Sequence, residues 1–167
     1  MLYFLDANVF VEAKNRYYRF QICPGFWRWL ELEKGQGRVC SVKPIYDELT
    51  KPKDDLSDWV KLHTDSAWFL PVDDVATLGV FQSEVLPCVE AGIGHRYAKD
   101  RFLDGGDPWL IAKAKAHHGT VVTHEKLEPN SKKKVKIPNI CRDLSVDYVD
   151  TFDVLEALGV SFHYDRP

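Results

Sequence analysis

The chain has 167 residues, 45% hydrophobic and 13% aromatic, a length that suits one compact domain burying about 70% of its unfolded surface. Its 22 Lys and Arg against 25 Asp and Glu leave a formal net charge of −3, so overall charge advertises neither nucleic acid nor an acidic membrane as a partner. No apolar stretch approaches the roughly 18 to 20 residues needed to cross a bilayer, and the opening Met1-Leu2-Tyr3-Phe4-Leu5-Asp6 lacks a basic lead and a cleavage signal, which predicts a soluble, unexported, cytoplasmic protein with no membrane partner.

In chain order, Leu2-Tyr3-Phe4-Leu5 is a continuous apolar run ending abruptly at Asp6, the pattern of a strand covered on both faces. The segment from Tyr17 to Trp29 is the most aromatic in the chain. Its spacing predicts mostly core, with a groove for a partner helix or a dimer contact as the other reading. Arg38 to Val42 reads as a second strand, and Pro44 opens a helix through Lys51. From Asp54 to Leu103 come helix-like stretches, including 56–63 and 73–89, broken by Pro71 and Pro87. Asp107-Pro108 opens a helix through His118, Gly119 stops it, and Thr120 to Thr123 reads as a third strand. A polar loop from Glu128 to Lys136 follows, and Ile137-Pro138 restarts order. Val146 to Val149, Phe152 to Leu158 and Ser161 to Tyr164 read as strand, helix and closing strand. Strands alternating with helices predict a three-layer α/β/α sandwich around a mainly parallel sheet, spanning residues 1–167 as one domain.

Two chemistries are excluded at this level. Cys23, Cys40, Cys88 and Cys141 form no C-x-x-C pair, which argues against structural zinc and gives no disulfide framework. The pairs His117-His118 and His124-Glu125 do not build an H-E-x-x-H zinc motif.

Ligands in open α/β sheets gather where strands end at their carboxyl edge, and here two such ends carry acids. Asp6 terminates the first strand, and Glu125 lies just beyond the third. Asp6 also suits the N-cap of a helix starting near Asn8, and Asp107 is a natural cap before Pro108. On the helix from Pro44, a step of about 100° per residue puts Ile45, Tyr46 and Leu49 on one arc with Glu48 at its flank, so Glu48 points inward and Asp47 is solvated. Gly105 and Gly106 permit close approach before Asp107, and Asp104 suits an outer ligand. Carboxylates converging in a concave site repel one another unless a cation neutralises them. Mg²⁺ or Mn²⁺ suits hard oxygen ligands and a substrate phosphate, so the pattern points to metal-assisted phosphoryl chemistry.

Four segments in order carry a resemblance: Leu5-Asp6-Ala7-Asn8, Ser41-Val42-Lys43-Pro44-Ile45-Tyr46-Asp47-Glu48-Leu49, Asp107-Pro108-Trp109-Leu110-Ile111-Ala112-Lys113-Ala114, and Val121-Val122-Thr123-His124-Glu125. Together they resemble the PIN-domain nucleases, whose pattern they follow across most of the chain. The resemblance implies a divalent metal held by Asp6, Glu48, Asp107 and Glu125, with Asn8 and Thr123 as polar supports. It further implies cleavage of single-stranded RNA and, for the largest branch, a VapC-like toxin paired with a small antitoxin protein. Glu125 departs from the Asp usual at its position, and the chain is longer than the usual small toxin, with the extra length in its middle helical section.

An RNA substrate needs local cations. Lys132, Lys133, Lys134 and Lys136 form one cluster, which as a charge run reads first as a solvated loop. Arg96, Lys99 and Arg101, just upstream of Asp104 and Asp107, form another. Two further readings stand beside the nuclease: a catalytically silent scaffold binding RNA or protein, and a small-molecule phosphohydrolase or phosphoacceptor. Against the last, Asp6-Ala7-Asn8 lacks the second Asp of a D-x-D motif.

Overall fold

The N-terminal apolar run becomes the middle strand of the sheet, as its lack of a polar face requires. In the computed structural model, which describes residues 1–63 and 68–163, β1 (Tyr3–Leu5) leads into α1 (Ala7–Glu12), extended by a wide π turn (Ala13–Tyr17), and then α2 (Pro24–Gly35). β2 (Val39–Val42), α3 (Lys43–Thr50), α4 (Asp55–Leu62) and β3 (Phe69–Leu70) complete the first half. The second half comprises α5 (Val75–Val80), a second π turn (Phe81–Val85), α6 (Leu86–Ala91), α7 (Arg96–Leu103), α8 (Asp107–Ala116) and β4 (Thr120–Val122). α9 (Ile137–Asp143), β5 (Tyr148–Val149) and α10 (Thr151–Ala157) follow.

The five strands form one sheet in the order β3-β2-β1-β4-β5, with every pairing parallel. Because β1 neighbours both β2 and β4, the strand order reverses at β1, and a crevice opens there beyond the carboxyl ends. Parallel neighbours need right-handed crossovers. These send α1–α4 to one face and α5–α9 to the other, so the α/β sandwich is as expected, with a sheet that is wholly parallel.

Local chemistry sets the helix starts. Asp54 and Asp74 accept the backbone N–H of Ser57 and Thr77, and Asp150 shares a reciprocal capping box with Asp153. The core runs through Phe4, Phe10, Phe26, Leu30, Ile45, Leu110, Ile111 and Ile137, all fully buried. The aromatic segment contributes Phe26, Trp27 and Trp29 to it. All four cysteines are free thiols, with Cys40 and Cys141 buried.

Four expectations change. Pro87 does not break its helix: the π turn immediately before it widens the backbone where the proline ring would strike the carbonyl four residues back, and the helix runs on to Ala91. α8 ends at Ala116 and not at His118, which turns the chain out of the helix in a left-handed conformation at φ 53° just before Gly119. The glycine is needed for packing, since a Cβ there would strike the Phe4 ring and lie 2.9 Å from the Leu2 carbonyl oxygen. β3 was not anticipated, being two residues long. Finally, Ser161–His163 form no strand, and Tyr164 lies outside the described residues.

Candidate active site at the carboxyl edge of the sheet

Asp6 follows β1 with an extended backbone at the N-cap of α1, yet its side chain makes no capping bond. The carboxylate is turned toward β4: Oδ2 accepts the Thr123 hydroxyl at 2.8 Å and the Asn8 amide at 3.2 Å. Thr123 in turn accepts the Glu125 N–H at 3.2 Å, so one hydroxyl links the ends of β1 and β4. Asp6 is 1% exposed. Burial pushes its pKa up to about 6, with the Thr123 hydroxyl opposing this and the charge of Glu125 adding to it.

Glu48 points inward from α3, as its helical arc requires, and its Oε1 accepts the Gly106 N–H at 2.6 Å. Asp47 is exposed and paired with Lys43. The glycines make the α7–α8 junction fit: a Cβ at Gly105 would lie 3.3 Å from Glu48 Oε1, and one at Gly106 would lie 2.6 Å from Ile45 Cδ1.

Asp107 differs from the sequence-based expectation. Gly106 is the N-cap of α8 and Asp107 its first residue, so the carboxylate is not spent on capping. Burial holds its pKa well above the ordinary carboxylate range, and Asp6, Glu125 and Glu48 push the same way, while Lys134 opposes them. The Glu125 side chain is only 6% exposed; Oε2 accepts the Ile137 N–H at 2.9 Å, and Oε1 is paired with Lys134.

These four acids line one cleft of about 550 Å³, joined by Asp104 at its rim, Asn8, and the cations Lys51, Arg101, Lys133 and Lys134. Arg96, Lys99 and Lys132 do not line it. α7 turns Arg96 outward to Glu90 and Asp100, and Lys99 Nζ donates to the Glu90 carbonyl at 2.5 Å. Lys51 was missed; its signal is its place three residues after Glu48, one turn along the same face. Among the described residues, no three His, Cys, Asp or Glu side chains are gathered tightly enough to hold a metal ion. Gly106 holds Glu48, and Lys134 with the Ile137 N–H holds Glu125. No helix among the described residues is long and apolar enough to cross a membrane.

The sequence model of DUF4411, described as a domain of unknown function, matches residues 3–162. No curated protein matches the chain. Among solved structures, the crystal structure of VapBC2 from Rickettsia felis bound to a DNA fragment from their promoter is similar over 90% of this chain and 98% of that one, at 15% sequence identity and a TM-score of 0.45.

Proposed function

The chain belongs to the DUF4411 family, and from the chemistry of its cleft we propose that it is a divalent-metal-dependent endoribonuclease acting on single-stranded RNA. The observation that carries this is the pair Asp6 and Asp107, two desolvated carboxylates that face Glu48 and Glu125 in an open cleft at the strand-order reversal. Structural acids are normally paired with a base; here the charges of Asp6, Glu125 and Glu48 add to burial in raising Asp107, and that of Glu125 adds to it for Asp6, an arrangement that favours a cation. The donors are all carboxylate oxygens, which fits Mg²⁺ or Mn²⁺ and not zinc.

Asp6 and Asp107 would hold the ion directly, Glu48 and Glu125 would complete its surroundings, and Asp104 would contribute from the rim. Bound there, the metal supplies an activated water and neutralises charge on the phosphodiester. Thr123 and Asn8 fix the orientation of Asp6 by donating to one of its oxygens, leaving the other for the cleft. Lys51, Arg101 and Lys133 offer the RNA backbone positive charge that the net −3 of the chain does not. The four-motif resemblance to PIN-domain nucleases extends the reading to the toxin of a toxin–antitoxin pair, with a small antitoxin protein as partner, a homodimer as its assembly and the cytoplasm as its setting.

The test is cleavage of a labelled single-stranded RNA with Mn²⁺. EDTA should abolish it, as should Asp6→Asn and Asp107→Asn in proteins that still fold; activity equal to the parent in both variants overturns the assignment. The engagement of Glu125 by Lys134 and Ile137 favours a second reading, a silent scaffold that binds RNA or protein. RNA binding without metal-dependent turnover would select it.

A further inference from the structure

Beside the acidic cleft, three rings from distant parts of the chain meet at the carboxyl edge of the sheet. Tyr17, ending the π turn after α1, lies 5.3 Å from Phe152 in an edge-to-face contact, and His124 lies 5.8 Å from each of them. Tyr17 is 48% exposed and Phe152 44%. Behind them Tyr18 stacks on the buried Phe26 at 4.3 Å, which ties the group to the core. His124 Nε2 is hydrogen bonded to the Thr151 hydroxyl at 2.9 Å, fixing the imidazole plane.

Large rings left half in water while packed on one another form a patch that folding alone does not explain. Its position gives the occupant. His124 sits between Thr123, which holds Asp6, and Glu125, which lines the cleft, so the rings begin one residue from the acids. Beside them Lys126, 77% exposed at its side chain, lies 3.7 Å from Asp150. The rings do not line the cleft itself; they adjoin it one residue along the chain from Glu125, with Lys126 as the neighbouring cation, a placement that suits a nucleotide whose phosphate enters the cleft and whose base lies just outside it.

We propose that Tyr17, His124 and Phe152 form a stacking platform for an unpaired nucleobase adjoining the phosphate held in the cleft. This rests on the nuclease reading and adds how single strands are preferred: a base inside a duplex keeps its faces covered by its neighbours and has none to offer.

The experiment measures binding of a fluorescein-labelled single-stranded 8-mer RNA by anisotropy, in Mg²⁺, with the full chain carrying Asp107→Asn to prevent turnover. Tyr17→Ala and Phe152→Ala should each weaken binding about tenfold, the range of one lost stack. Tyr17→Phe and Phe152→Tyr should bind as the parent does, and thermal melting establishes that each variant folds. Abasic sites in the 8-mer should weaken binding to the parent and leave the Phe152→Ala complex little changed. Unchanged affinity in folded Tyr17→Ala and Phe152→Ala overturns the platform, including the case in which the rings seat a protein segment instead. Metal-dependent cleavage by the chain without Asp107→Asn tells the two failures apart. With cleavage intact only the platform falls; with neither cleavage nor binding, the nuclease reading falls and the platform with it.

Discussion

The Glu48 carboxylate accepts the backbone N–H of Gly106 at 2.6 Å, fastening α3 on one face of the sheet to the start of α8 on the other. This one bond closes the floor of the cleft between Glu48 and Asp107, and it depends on a residue without a side chain. Gly106→Ala would press its Cβ against Ile45, 2.6 Å from Cδ1 and 3.1 Å from the backbone nitrogen. Overpacking of that kind costs about 1–3 kcal/mol. We expect a lower urea midpoint by that amount and RNA cleavage reduced by far more than the stability loss explains. A variant with parental stability and activity would show that the junction is not under this constraint.

Asp6 gives the metal-free protein a characteristic pH dependence. Its folded pKa of about 6 lies above the ordinary carboxylate value because burial disfavours the anion. Between about pH 4 and pH 6, folding therefore takes up a proton, and stability is highest below that window and falls as pH rises through it. The loss is on the order of 3 kcal/mol for a shift of this size. Asp6→Asn should accordingly stabilise the metal-free protein near pH 7.5 and flatten the profile, while abolishing cleavage. Denaturant titrations at pH 4.5, 6 and 7.5 measure this; an Asn variant that is less stable at every pH would refute it.

Much of this site was legible because it depends on where strands stop and which way one helix faces. Asp6 and Glu125 were marked by their places at strand ends, Thr123 only by the four-motif resemblance, and Glu48 by its place at the flank of the arc of Ile45, Tyr46 and Leu49. What was not legible depends on approach in space. Arg96 and Lys99 are near Asp104 in sequence, but the turn of α7 directs them to Glu90. The role of Gly106 as cap in place of Asp107 requires knowing that α3 lies within reach of its N–H. Tyr17, His124 and Phe152 come from three segments, and no periodicity within any one of them announces their meeting.

Away from the cleft, Lys113 on α8 is 5% exposed and its ammonium lies 2.6 Å from Asp74 Oδ2. Asp74 also caps α5 by accepting the Thr77 N–H, and the Lys113 ammonium with these bonds holds its carboxyl far below the usual range. Asp74→Ala leaves a buried cation without its partner and should cost about 2–3 kcal/mol at pH 7, discounted for the partial exposure of Asp74. The sign with pH is opposite to that of Asp6: an acid with a depressed folded pKa stabilises above its unfolded value, so the difference between parent and variant should shrink as pH falls below about 4. Pairing Asp74→Ala with Lys113→Met should recover at least half of the loss. No recovery would place the damage in the helix cap alone.

Lys134 stands where a cation is needed. It is paired with Glu125, its pKa is lowered by burial but raised further by Glu125, Asp107 and Asp6, and it opposes the upward push on Asp107. In the metal-free protein its ammonium thus offsets part of the negative charge of the cleft and engages one Glu125 oxygen. On the proposed reading an entering ion would displace this pair, so Lys134 and the metal would compete. The side chain is 59% exposed, which keeps the competition modest: about 1 kcal/mol, or roughly a fivefold change in affinity. Lys134→Gln should therefore bind Mn²⁺ roughly fivefold more tightly by calorimetry, and should make the metal-free protein less stable at neutral pH, because Asp6, Asp107 and Glu125 lose a counter-charge. Weaker Mn²⁺ binding in this variant would reverse the assignment, making Lys134 a support for the metal-bound state.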